Sequence, residues 1–160
     1  MNMKKKLSIF ATLLFALSLL VLVPAKVEAA NPSSKVTVVT MGALERSRAR
    51  AVVKLVNEER EAKNLKPLVM TDELETIAVQ RAVELSAYPE HDRPNGEECF
   101  NVLDDYEFDC SLARENIAMG FKTSTSVMDA WMESSGHKAN ILNPEFTHIG
   151  VACFEMDSVR

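Results

Sequence analysis

The sequence predicts an α+β domain built round one hydrophobic core. Three observations carry that expectation. Helical periodicity recurs between residues 44 and 133. The best strand, "FTHIGVACFEM", rich in β-branched and aromatic residues, comes only near the end. Helices outnumber strands and do not alternate with them regularly, which argues against a doubly wound sheet and for α+β or layered α/β.

The first stretch, residues 1–29, reads as a leader rather than as part of the fold. Lys4, Lys5 and Lys6 precede an apolar-rich run from Leu7 to Val23, followed by Pro24 and the small-residue site Val27-Glu28-Ala29. That is the order of a secretory signal peptide cleaved after Ala29. The run falls short of the roughly 20 residues that span a bilayer, and no second segment approaches its length. The expected product is a secreted or envelope-associated domain of about 131 residues, a size for one core, with no stable membrane insertion. Losing four lysines and Glu28 shifts the net charge from −5 to about −8. With no basic cluster, nucleic acid is excluded as a partner, since phosphate contacts need Lys and Arg. Anionic membrane surfaces are disfavoured for the same reason.

Residues 30–43 form a polar lead-in with room for a short strand, and the domain proper is assigned to 44–160. The first helix runs from about Leu44 to Asn64. Val52, Leu55 and Val56 mark its inner face, with charges opposite. Pro67 disfavours helix at Lys66 and closes it. A second helix opens at "TDELE", with Thr71 or Asp72 as cap and acids in its first turn. Its inner stripe is Leu74, Ile77, Ala78, Arg81, Ala82 and Leu85, in which the arginine is the exception. Pro89 limits it, and "PEHDRPNGEE" is a turn segment. "CFNVL" is short helix or extended chain, and a strand is expected around Asn116 to Met119. The third clear helix is "TSTSVMDAWMESS", capped by Ser124 or Thr125, with Val127, Ala130 and Trp131 facing inward.

Cys99, Cys110 and Cys153 allow at most one internal disulfide, and spacing does not choose the pair. No CxxC or Cys–His cluster is present, which disfavours a thiolate zinc site. The polar residues able to do chemistry lie in turn-rich stretches: His91, Glu115 and His137, with Glu133, Ser134 and Ser135 close by in sequence. Two imidazoles and a carboxylate suit a divalent metal such as zinc, or general acid–base work. HExxH, GxSxG and phosphate-loop patterns are absent. A Ser135–His137 nucleophile–base pair is disfavoured, because near neighbours rarely reach that geometry. His148 needs no role beyond its strand. Asn57 and Asn140 are expected to hold backbone.

An ordered series of segments resembles the CAP superfamily (the SCP domain of cysteine-rich secretory, antigen 5 and pathogenesis-related 1 proteins), in its secreted bacterial branch. "LVNEEREAKNLKPL" and "DELETIAVQRAVELSA" resemble the first two helices. "HDRPNG", "ENIAMGF" and "WMESSGHKANILNPEFTHIGV" resemble the first histidine loop, the glutamate segment and the Trp-to-Asn-Ile-Leu signature. The resemblance implies a three-layer α-β-α sandwich whose central cleft holds His91, Glu115 and His137. His91 and His137 would be ligands to a divalent ion such as zinc, and Glu115 would orient a ligand or a bound water. It implies a protein acting by binding, with a lipid, sterol or cell-envelope ligand. The alternatives are a metal- or His-assisted secreted hydrolase with His137 or Glu115 as base, and a structural envelope or spore-coat protein.

Three departures accompany the resemblance. Ser134 stands where the eukaryotic branch has a second glutamate, and Glu133 is about 100° away round the helix. Arg114 replaces the usual glycine before Glu115, and a salt bridge between them, which would weaken a metal role, is the alternative to a cleft role for Glu115. The final aromatic-rich strand of relatives is missing, so a bare strand edge is expected.

Overall fold

A computed structural model describes residues 42–156, together with the strand backbone of 7–13, 27–28 and 37–38. In chain order the elements are β1 (Leu7–Leu13), β2 (Val27–Glu28), β3 (Thr37–Val38), β4 (Gly42–Leu44), α1 (Arg46–Glu61), β5 (Val69–Met70), α2 (Asp72–Ala87), α3 (Val102–Asp105), β6 (Glu115–Asn116), α4 (Ser124–Glu133), α5 (Ser135–Ile141) and β7 (His148–Met156). A 3-10 turn at Cys99–Asn101 leads into α3, so "CFNVL" is helical.

The layers follow from the period-two alternation of β7. Ile149, Val151 and Cys153 join Val52 and Val56 of α1, Val127 and Trp131 of α4 and Ile141 of α5 in one buried cluster. Ala152 and Phe154 point the other way and join Ala78, Ala82 and Val83 of α2. One strand therefore serves two cores, and the result is helices, sheet, helix: an α-β-α sandwich. Val52 and Val56 are fully buried, and each such side chain contributes about 1.5–3 kcal/mol. Gly150 permits the close approach of α2, since a Cβ there would lie 2.2 Å from the Leu74 carbonyl oxygen.

The sheet path is β4-β7-β1-β6, with β5 also on β7. β4 pairs antiparallel with the end of β7 and β5 parallel with its start. β1 runs parallel along β7 from Leu7↔His148 to Leu13↔Phe154, and also pairs with β6. In the full chain the second side of β7 is occupied by β1, from the stretch read in sequence as a leader, whereas the bare edge is the expectation for the chain without that stretch. Gly42 and Ala43, read as lead-in, are sheet residues.

Local chemistry shifts several boundaries. Leu44 is in β4 and α1 begins at Arg46, with no side-chain cap at Glu45. Thr71 caps α2 by accepting from Leu74 N–H, and Asp72, Glu73 and Glu75 sit in its first turn. α4 is capped by Thr123, one residue before the expected cap, through Ser126 N–H. The strand expected at Asn116 to Met119 is only Glu115–Asn116. The expected inner stripe of α2 is buried throughout, Arg81 included.

Candidate functional site

β6 is two residues long, and its two side chains go in opposite senses because it is a strand. Glu115 meets the His91 loop: His91 Nδ1 lies 3.0 Å from Glu115 Oε1. Asn116 meets α5: its Nδ2 donates to the His137 carbonyl at 3.1 Å, and its Oδ1 accepts from Asn140 Nδ2 at 2.7 Å. Glu115 and Asn116 are both buried. Consecutive residues of one strand thus tie down both histidine segments, one through a side chain and one through a carbonyl.

His137 sits in the first turn of α5, not in a loop. Its ring centroid is 6.4 Å from that of Trp131. Trp131 is itself fixed in the core, with Nε1 donating to the Ile117 carbonyl at 3.2 Å. Burial pushes the His137 pKa below its ordinary value, and the charge of a protonated His91 pushes it further the same way. The second cause lies in the charge of His91, 46 residues earlier in the chain. His137 should titrate below the ordinary value of about 6.5, and His91→Ala should move it upward by removing the second cause. Imidazole C–H shifts followed against pH check this; a His137 midpoint unmoved by His91→Ala would refute the proximity.

Glu115 does not pair with Arg114, so the alternative left open by the sequence does not hold. Arg114 is exposed and donates to the Ala113 carbonyl. Its partner is Arg81, 34 residues away: Nε donates to Oε2 at 2.9 Å and Nη2 to Oε1 at 3.1 Å. Arg81 also donates from Nη1 to Glu84 Oε2 at 2.7 Å, and Glu84 holds Arg93 at 2.7 Å. Arg93 reaches Asp105 of α3 at 2.8 Å. A chain of alternating charges therefore runs from α3, beneath the His91 loop, to β6. Burial lowers the Arg81 pKa, but Glu115 and Glu84 more than reverse this and hold it above its ordinary value. Glu84 and Arg93 were not singled out from sequence; a carboxylate one turn from a stripe arginine was their only signal.

With Arg81 on both oxygens and His91 on one, Glu115 is an orienting group and not an open ligand. Among the described residues no three of His, Cys, Asp and Glu gather closely enough to hold a metal. Glu133 is exposed, and no hydrogen bond joins Ser135 to His137 among the described residues. His148 bonds its neighbour Thr147. Asn57 holds backbone as expected, pairing with both N–H and C=O of Leu68. The Cys99 thiol is pushed up to about 12 by burial and then by Glu115, which removes it as a nucleophile. A separate cavity of about 460 Å³ opens between α1 and α2, bordered by Arg46, Arg50, Asp72 and Glu75. None of the three candidates borders it.

Residues 53–159 match the family model described as the cysteine-rich secretory protein family, CAP. The chain is 39% identical over 112 residues to the Bacillus subtilis protein YkwD, covering 69% of this chain and 44% of YkwD. It therefore spans less than half the length of that relative. Its fold is similar to an extracellular SCP-domain protein of Bacillus anthracis, with a TM-score of 0.63 and 26% identity, over 66% of this chain and 36% of that one. An outer surface protein of Borrelia burgdorferi is similar at a TM-score of 0.62 and 26% identity, over 69% of this chain and 84% of that one. The layers, the paired histidine segments and the match across most of the described domain agree: this chain belongs to the cysteine-rich secretory protein (CAP) family.

Proposed function

We propose that this CAP protein is exported and acts by binding, through a site formed by His91, Glu115 and His137, with the two imidazoles taking a divalent cation such as zinc. The observation that carries the reading is the fixing of both histidine segments by the one dipeptide Glu115-Asn116. The extracellular and outer-surface character of the similar solved proteins supports export. Among the described residues, no helix is long and apolar enough to cross a membrane. Neutral imidazoles offer lone pairs, and the exposed acids Glu90, Asp92, Glu97 and Glu98 flank His91. Such a site favours a cation or a hydroxyl-bearing ligand, such as a sterol or an envelope glycan, over an anion.

Zinc titrated calorimetrically into the full chain should bind at about one ion per molecule. His91→Ala combined with His137→Ala should abolish that binding, leaving only what thiols take up. Equal uptake by the double variant, or none by the parent, would remove the cation from this reading.

A further inference from the structure

We propose that Arg81 is the positioning residue that decides which imidazole nitrogen His91 presents to the site. This rests on His91 being a site residue and is independent of the cation. His91 Nδ1 faces Glu115 Oε1, which already accepts from Arg81 Nη2. A carboxylate oxygen in that position has no proton to give, so the imidazole is the donor at Nδ1. The lone pair of the neutral ring is thereby sent to Nε2, the far side of the ring from Glu115. His91 is 55% exposed as a side chain, so that lone pair is open to a ligand.

Arg81 controls this at two points. Its fork fixes the Glu115 carboxylate, and Nη2 also donates to the main-chain carbonyl of His91 at 3.0 Å. One planar guanidinium, 1% exposed, therefore sets both the backbone position of His91 and the acceptor that meets its ring. A lysine supplies one point charge and cannot span the carboxylate fork and the carbonyl together. Glu84 occupies Nη1 and so fixes the rotation of the fork.

Long-range proton–nitrogen correlation spectra of the nitrogen-15-labelled full chain, taken where the imidazoles are neutral, read the tautomer directly. The parent should show His91 protonated at Nδ1. Arg81→Lys retains the buried cation and should lose that single tautomer, with Nε2–H signal appearing at His91 and the His148 pattern unchanged. Parent spectra showing His91 mainly as the Nε2–H form would overturn the assignment without any variant being needed. An unchanged His91 tautomer in folded Arg81→Lys would also overturn it. Failure of zinc binding with the expected tautomers would count against the cation reading alone.

Discussion

Replacing Arg60 with methionine should lower the stability of the domain by about 3 kcal/mol or more. Arg60 is buried in α1, and its guanidinium is held by main-chain oxygens: Lys66 at 2.9 Å, Ile141 at 2.7 Å, Asn143 at 2.8 Å and Phe146 at 3.3 Å. Three of those carbonyls belong to the end of α5 and the turn that follows. A helix end leaves carbonyls without intrahelical partners, and here a side chain from another helix supplies the donors. Burial lowers the Arg60 pKa, so part of the loss is offset when the desolvated cation is removed. The orphaned carbonyls dominate, since each buried acceptor left unmade costs about 1–3 kcal/mol. Urea unfolding gives the midpoint, and hydrogen exchange should show residues 135–146 opening first. Arg60→Lys should fall between, because one ammonium cannot serve four carbonyls in fixed directions. A methionine variant within about 0.5 kcal/mol of the parent, the range of an ordinary surface substitution, would sink this account.

Arg60 also shows where reading the sequence stopped. Val52, Val56 and Arg60 lie on one helical line, and all three are buried. Apolar periodicity found the line and then assigned its charges to the opposite face. In α2 the same pattern is visible, because Arg81 interrupts an otherwise clean stripe. Neither partner set could be read off, since hydrophobic periodicity says which face is inward and nothing about which acceptors wait there. The layer order, both long helices and β7 were legible because burial imposes period 3.6 or 2 on the residues themselves. His91, Glu115 and His137 were legible only as members of a resembling series; spacing alone does not bring residues 24 and 46 positions from the first histidine together. Arg114 is not the partner of Glu115 for a physical reason. It adjoins Glu115 in sequence, but Glu115 opens a strand, where neighbouring side chains point to opposite faces. The true partner came from a helix packed beneath.

The second large effect should come from Glu84→Ala, which touches neither histidine. Glu84 receives Arg81 at 2.7 Å, Arg93 at 2.7 Å and Gln80 at 2.9 Å. Its side chain is 4% exposed, and those of Arg81 and Arg93 are 1% and 8%. Alanine would leave two buried guanidiniums with one carboxylate fewer, a change that typically costs about 3–5 kcal/mol. Arg93 lies two residues after His91, so the His91 loop should loosen with it, visible as faster amide exchange across residues 89–98. Glu84→Gln keeps the shape and should cost less at neutral pH. Burial pushes the Glu84 carboxyl up, but bonds from Arg93, Gln80 and Arg81 outweigh this and leave its pKa below the ordinary value. As pH falls, the unfolded chain therefore takes the proton before the folded one does. The stabilisation is complete above the unfolded value of about 4.3 and drains away as pH drops through the depressed folded value. The gap in urea midpoint between parent and Glu84→Gln should accordingly be widest at neutral pH and narrow in acid. A gap that widened on acidification would mean that Glu84 is not the ionised centre of the lattice beneath the site.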